Sequence, residues 1–166
     1  MTKTIVISVF VIALSAFARP ASAQVDVLML VPGVPGGSTN ASHAGWIDVL
    51  SIQQDLTADR KSTACSLKVV KPLDIAGPRL WLAAVTGHVY PEVRIEFTRR
   101  SDQMKFYEIR LTNALVTGIS DSGAGGGAGA ISETVTWAAA STMLTFFDQN
   151  PDGSPGSQVT ATVACN

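Results

Sequence analysis

Residues 92–112, EVRIEFTRRSDQMKFYEIRLT, contain two alternating segments joined by a short polar stretch. In the first segment Val93, Ile95 and Phe97 alternate with Glu92, Arg94, Glu96 and Thr98, and in the second Tyr107, Ile109 and Leu111 alternate with mostly polar residues. A period of two predicts strands with one buried face. Arg99–Gln103 is short and polar, which predicts a hairpin between them. We expect Glu92 and Glu96 to lie on a wet, solubilising outer face.

The same periodicity continues outward along the chain. Further strands are predicted at Val25–Val31, Trp46–Gln54, Cys65–Lys71, Glu133–Ala138, Met143–Phe147 and Gln158–Cys165. About eight short strands separated by turn residues are typical of a sandwich or barrel. The expected fold class is therefore mainly β, an antiparallel barrel or sandwich.

One segment breaks this pattern and predicts a single short α-helix. Gly77-Pro78 precedes Arg79–Thr86, and Gly87 follows it. Proline near the first helical position and glycine just past the last are the usual start and stop of a helix. Leu80, Ala83 and Ala84 would form the stripe that packs on the sheet.

The first 23 residues have the three parts of a secretory signal peptide. Lys3 gives a positive start, Ile5–Phe17 is apolar apart from two serines, and Ala21-Ser22-Ala23 supplies small residues for cleavage between Ala23 and Gln24. A membrane span is the alternative, but such a run reaches only ~20 Å against a hydrocarbon core of ~30 Å. We expect one domain, 24–166, that is secreted, extracellular or periplasmic and keeps no stable membrane span.

Two cysteines, Cys65 and Cys165, remain after cleavage. In an oxidising compartment two thiols of a small domain are candidates for one disulfide. Two buried free thiols are the alternative, because cysteine is also a common small core residue.

Charge and composition argue against several functions. The chain has 12 basic and 13 acidic residues, a formal net charge of −1, and its charges are scattered. The basic patch of a nucleic-acid-binding protein is missing, so no nucleic-acid partner is expected.

Two loops resemble ligand sites without completing them. Gly123–Gly129 lacks the Lys-Ser/Thr of a phosphate loop and precedes a predicted strand, so it predicts a hairpin loop. Asp148–Gly153 resembles the opening of a calcium loop, but Val159 occupies the position of the bidentate glutamate.

The histidines, His43 and His88, lie in a polar loop and at a strand entrance, where solvated histidines are common. A hydrolase would need one of them beside a nucleophile, and no Gly-x-Ser-x-Gly elbow is present. Two histidines are also too few for a convincing zinc site. We therefore predict no catalytic, cofactor-binding or metal-binding residues.

Four stretches resemble one known family. They are Gly33–Thr39 running on to His43–Ser51, Val69–Leu80 with its Lys-x-x-Asp-x-x-x-Pro pattern, Gly87–Phe97, and Gln149–Gly156. In this order they are similar to the haemolysin-coregulated proteins (Hcp), the tube subunits of type VI secretion systems in Gram-negative bacteria.

The resemblance implies a β-barrel with one helix that assembles as a homo-hexameric ring. It further implies that rings stack into a hollow tube, that effector proteins travel in the lumen, and that the protein has no active site or cofactor. Closed head-to-tail contacts cover strand edges that would otherwise aggregate. We hypothesise that Pro32–Gly45 contacts a neighbouring subunit or ring.

The predicted signal peptide leaves a second interpretation open. Tube subunits of the family assemble from the cytoplasm and need no export signal. The alternative is an exported periplasmic or extracellular Hcp-like binding module that no longer belongs to an injection tube.

Overall fold

The computed structural model of the protein describes residues 24–59, 61–123, 131–150 and 154–166. In these ranges the chain forms nine strands and one helix. They are β1 (Val25–Leu30), β2 (Ile47–Val49), β3 (Ser51–Ala58), β4 (Thr63–Pro72), α1 (Gly77–Thr86), β5 (Val89–Arg99), β6 (Lys105–Ser122), β7 (Ser132–Ala138), β8 (Ser141–Gln149) and β9 (Pro155–Ala164). The mainly antiparallel β fold with one short helix is confirmed. The predicted signal peptide, Met1–Ala23, and most of Gly123–Gly129 lie outside the described residues.

The strands form a sheet whose two ends meet. Its order is β2-β1-β5-β6-β7-β4-β3, with antiparallel pairing throughout. The end strands β2 and β3 are separated in the chain only by Leu50, whose N–H donates to the Val70 carbonyl at 2.8 Å. The sheet therefore closes into a barrel.

The prediction of a single strand over Trp46–Gln54 is wrong, because the structure has two strands there. A bend at Leu50 divides it into β2, which pairs with β1, and β3, which pairs with β4. Closing a small barrel requires strands to tilt and bend, and the uninterrupted pattern of the sequence does not show where the bend falls.

The long strand β6 belongs to the barrel and also carries a branch of the same sheet. Beside β5 it pairs with β8 through Tyr107–Thr112 and with β7 through Leu115–Ser122. The part beyond Thr112 was not predicted as a strand. An irregularity between Val116 and Gly118 interrupts the register there, and bulges of this kind obscure the period of two.

Strands β8 and β9 form the C-terminal hairpin, which is the branch of the sheet that leaves β6. Strand β8 pairs with β6, whereas β9 pairs with β8 alone among the described strands. Residues 157–162 of β9 are exposed on both faces. The predicted strands Met143–Phe147 and Gln158–Cys165 correspond to these two elements, and β9 begins earlier than expected.

The predicted hairpin and helix are both confirmed. The N–H of Arg99 donates to the Met104 carbonyl at 3.0 Å and closes the turn between β5 and β6. Helix α1 has Pro78 in its first turn and ends at Gly87, whose φ of +65° is the left-handed conformation that glycine adopts without strain. Leu80 and Ala83 are buried against the barrel.

The wet outer face predicted for β5 is wrong. Val93 and Ile95 are buried in the core as expected, but Glu96 and Thr98 on the opposite face are buried as well. The segment 32–45 folds over this face, and His43 reaches Glu96. Alternation correctly predicted the strand, but it does not reveal which later or earlier segment covers its polar face.

A disulfide links the hairpin to the barrel. Cys65 of β4 is bonded to Cys165, with their Cα atoms 5.5 Å apart although the two cysteines are separated by 100 positions in the sequence. No helix in the described ranges is both long and apolar enough to cross a membrane.

Candidate assembly interface

The segment Pro32–Gly45, called the extended loop below, is a folded arm with its own backbone hydrogen bonds. The N–H of Gly36 donates to the Gly45 carbonyl at 2.8 Å, and the N–H of Gly45 donates to the Ser38 carbonyl at 3.0 Å. A Cβ on Gly36 would lie 2.2 Å from the carbonyl oxygen of Trp46, so the two limbs approach too closely for any other residue. Glycine here permits the close backbone contact.

The base of the extended loop is fixed to the start of α1. The Gly37 N–H donates to Asp74 Oδ2 at 3.1 Å, and Arg79 Nη1 donates to the Gly33 carbonyl at 2.8 Å. Asp74 Oδ1 also accepts the N–H of Ala76 at 3.0 Å, which orients the turn before the helix. One carboxylate therefore holds both the loop and the helix entry.

Asp74 belongs to a buried group called the Lys71 cluster, formed by Lys71, Asp74 and Glu133. Lys71 Nζ lies 2.7 Å from Asp74 Oδ1 and 3.1 Å from Glu133 Oε1. The side chains of Lys71 and Glu133 are 0% exposed. A buried ammonium of this kind is tolerated only when carboxylates and hydrogen bonds compensate its lost hydration. The Lys-x-x-Asp spacing of the sequence thus places a charge pair beneath the loop.

The tip of the loop is fixed to β5 and to the β5–β6 turn. His43 Nε2 lies 2.9 Å from Glu96 Oε2, and both side chains are almost fully buried. Asn40 Nδ2 donates to Gln103 Oε1 at 2.9 Å. The solvated environment predicted for His43 is therefore wrong, because the loop turns this imidazole inward onto the sheet.

Glu96 continues into a chain of charges called the Glu96 cluster: His43, Glu96, Lys105, Glu108 and Arg110. Lys105 Nζ lies 3.1 Å from Glu96 Oε1 and 2.5 Å from Glu108 Oε2. Arg110 Nη2 donates to Glu108 Oε1 at 2.6 Å. Burial alone would raise the pKa of Glu108, but the bonds and charges of Lys105 and Arg110 outweigh it and lower that pKa.

The outward side of the extended loop is small and uncharged. Pro35, Thr39, Ala41, Ser42 and Ala44 are exposed, while Val34, Gly36, Ser38 and His43 between them are buried. Both ends are anchored and the loop is bonded across its middle. The outward side of the loop is therefore a fixed strip without charged side chains.

Apolar side chains are exposed beside the base of this loop. Trp81, Leu82 and Val85 on α1 are 42%, 64% and 81% exposed. A cavity of about 300 Å³ separates the helix from the loop and is lined by Val34, Leu82 and Tyr90 among others. Exposed apolar clusters of this kind mark interaction surfaces.

The remaining predicted site residues do not converge on this surface. Gln24, the residue after the predicted cleavage point, is exposed directly before β1, and Ala23 lies outside the described residues. His88 packs edge-on against Tyr90, with ring centroids 4.6 Å apart. No group of three or more His, Cys, Asp and Glu in the described ranges is arranged to hold a metal ion. Part of the calcium-like stretch, residues 151–153, is outside those ranges.

Sequence reasoning missed both charge clusters. His43 and Glu96 are separated by 53 positions, and Lys71 and Glu133 by 62, so no local spacing relates the partners. The sequence offers one signal. Lys71 and Glu133 are charged residues within segments predicted as strands, and a charge buried in a sheet needs a partner of opposite sign. The sequence alone does not show that these strands are neighbours.

A closed β-barrel whose exposed apolar side chains lie beside a fixed loop presents the kind of surface that a protein partner covers. The family model described as "Type VI secretion system effector, Hcp" matches residues 28–146. The chain therefore belongs to the Hcp family of type VI secretion systems, and the resemblance seen in the sequence is confirmed.

Individual relatives agree with this assignment. The protein hcp1 of Pseudomonas aeruginosa is 26% identical over 142 residues, covering 78% of this chain and 87% of that protein. A solved type six secretion system protein superposes with a TM-score of 0.73 at 26% identity, over 82% of this chain and 92% of the other. For Hcp1 from Salmonella typhimurium the TM-score is 0.70 at 21% identity, over 84% and 94% of the two chains, which shows a shared fold.

Proposed function

We propose that this protein is a non-enzymatic structural subunit that assembles head to tail into a homo-hexameric ring. Membership of the Hcp family supports the proposal. The observation that carries it is the extended loop, which is held by Asp74 at its base and by Glu96 at its tip. An arm ordered during folding loses little further entropy when it meets a neighbour.

The surface of the loop suits contact with another copy. Its outer residues are small and uncharged, so two close-packed chains need not desolvate charge there. The exposed side chains of Trp81, Leu82 and Val85 lie beside it and would gain from burial in the same contact. A heterologous contact repeated by rotation closes a ring.

In this proposal rings stack into a hollow tube, with effector proteins in the lumen. The predicted signal peptide favours a location outside the inner membrane, secreted, extracellular or periplasmic. It also supports the alternative, an exported Hcp-like binding module that forms rings outside an injection tube. Amino-terminal sequencing of the exported protein tests whether the signal peptide is removed, since cleavage would leave Gln24 as the first residue.

The assembly is tested by light scattering on the protein purified after export. We expect a mass of six mature chains. Ala41→Glu places a charge on the outer strip of the loop and should give monomers with an unchanged circular dichroism spectrum. Ser120→Glu adds the same charge at an exposed position of β6 and serves as the matched control. Rings that form equally well from Ala41→Glu would exclude the loop as the contact.

A further inference from the structure

The C-terminal hairpin is attached to the rest of the molecule by backbone pairing, by side-chain contacts near the β5–β6 turn and by residues 165 and 166. Near the turn, Lys105 Nζ lies 4.8 Å from the centre of the Phe147 ring, and Gln149 Nε2 donates to Met104 Sδ at 3.1 Å. Strand β8 pairs with β6 through Ser141–Phe146, and the chain end returns to the start of β4. Among the described strands β9 pairs with β8 alone, so its other edge is unpaired there. The register of β9 is therefore set by β8, and Cys165 supplies the covalent link between this end of the hairpin and β4.

That attachment is a compact clamp at the start of β4. Cys165 is bonded to Cys65, the N–H of Asn166 donates to the Thr63 carbonyl at 2.8 Å, and the N–H of Thr63 donates to Asn166 Oδ1 at 2.9 Å. The N–H of Cys165 also donates to the Ala140 carbonyl at 2.8 Å, just before β8. Cys165 and Asn166 thus join the start of β4 to the open end of the hairpin, where β8 begins and β9 ends.

Side-chain packing does not fill the space beside the clamp. A groove of about 230 Å³ lies between β3 and the hairpin, lined by Leu56 and Cys65 on one side and Leu144 and Val163 on the other. Leu56 is 57% exposed although it faces this region. Beyond the closure of the barrel at Leu50, β3 pairs with β4 alone among the described strands, so it also has an unpaired edge. The disulfide and the hydrogen bonds of Asn166 join the β4 side of the groove to the hairpin side.

We propose that the Cys65–Cys165 disulfide is a redox-controlled clamp that makes the subunit competent for ring assembly. The inference rests on the proposed function. Oxidised, the clamp holds the β3 and β9 edges in one arrangement that a neighbouring copy can bind. Reduced, the hairpin keeps its pairing through β8 and its contacts near the β5–β6 turn, but the covalent link to β4 is gone and the composite surface loses its fixed arrangement. Assembly is thereby confined to oxidising surroundings, outside the cytoplasm.

The chemistry is ordinary thiol–disulfide exchange. The two cysteine thiols lose two protons and two electrons as their sulfur–sulfur bond forms. A dithiol-disulfide oxidant, either a protein or a small-molecule disulfide, accepts them as its own sulfur–sulfur bond breaks to two thiols. A dithiol reductant reverses the step.

The test compares three forms of the mature protein: oxidised, reduced with dithiothreitol and alkylated with iodoacetamide, and the double variant Cys65→Ser, Cys165→Ser. Amide hydrogen exchange is measured in β9, with Val93 and Ile95 of the core as internal references. Light scattering gives the assembly state of each form. Alkylation before reduction reports whether the thiols are free. The reduced and alkylated wild type is prepared from folded protein. The test therefore does not depend on whether the double variant folds.

We expect no labelling before reduction and, after it, roughly tenfold faster exchange in β9 with unchanged core protection. The six-chain species should fall by at least about tenfold at equal concentration, because a ring held by several equal contacts loses population more steeply than each contact loses affinity. Free thiols in the exported protein, or unchanged β9 exchange, would overturn the clamp. Rings that persist after reduction would overturn its control of assembly. An oxidised protein that stays monomeric would refute ring formation itself, and the exchange comparison then still decides whether the clamp exists.

Discussion

The extended loop and the C-terminal hairpin are both attached to the barrel from outside, but by different chemistry. The loop is fixed by buried charges, the Lys71 cluster at its base and the Glu96 cluster at its tip. The hairpin is attached through the pairing of β8 with β6 and is tied to β4 by a disulfide and by Asn166. The loop therefore depends on charge pairing, and the end of the hairpin depends on a covalent bond. Each can be broken without touching the other.

The largest effect is expected at the base of the loop. Lys71→Met leaves Glu133 and Asp74 without their cation, and breaking a buried charge pair in this way costs about 3–5 kcal/mol. Urea denaturation measures the loss. Lys68→Met is the matched control, because Lys68 is exposed on the same strand and should change stability little. Adding Glu133→Leu to Lys71→Met should recover part of the loss; no recovery would show that unpaired charge is not the cause.

The hairpin attachment should contribute next. Removing the disulfide, which closes 100 residues of chain, is expected to cost about 2–4 kcal/mol. Equilibrium unfolding of the wild type with and without reductant measures this difference. The Cys65→Ser, Cys165→Ser variant should then be insensitive to reductant. If wild type and variant respond alike, the bond does not contribute to stability.

The tip of the loop should show a smaller effect. His43→Ala removes a partner from the buried Glu96 carboxylate, which costs about 1–3 kcal/mol. The amides of Gly36, Ser38 and Gly45, which bond across the loop, should also exchange faster. His88→Ala changes an exposed imidazole and serves as control. Faster exchange confined to β9 in the His43→Ala protein would contradict the independence of the two attachments.

The smallest effect concerns pH. Because Lys105 and Arg110 hold the pKa of Glu108 below its ordinary value of 4.5, its contribution to stability is complete above that value. It is lost as pH falls through the lower pKa of the folded state. Glu108→Gln should flatten the decline of stability below pH 4.5, because the amide is not protonated in this range. Equal slopes in the wild type and Glu108→Gln would refute this.

The local part of the fold could be read from the sequence, and the contacts that fix the loop could not. Alternation at Val93–Phe97 and the Gly77-Pro78 and Gly87 signals express short-range preferences, so they predicted β5 and α1 correctly. The inward turn of His43 and the burial of Glu96 depend on a partner 53 positions away. A polar residue next to glycine and serine carries the same local signal whether it is solvated or buried in an ion pair.

The expectation for Cys65 and Cys165 came from the compartment rather than from geometry. The 5.5 Å separation of their Cα atoms depends on the hairpin folding back to β4, which no local pattern encodes. The bend at Leu50 is a similar case. It follows from closure of the barrel, a property of the whole sheet.

The central claim is ring formation by the exported, oxidised protein, and its mass in solution tests this most directly. Light scattering during size-exclusion chromatography of the mature chain should give six subunits, and electron microscopy of the same fraction should show rings. A single mature chain at high concentration, with the disulfide intact and the barrel folded, would contradict the account.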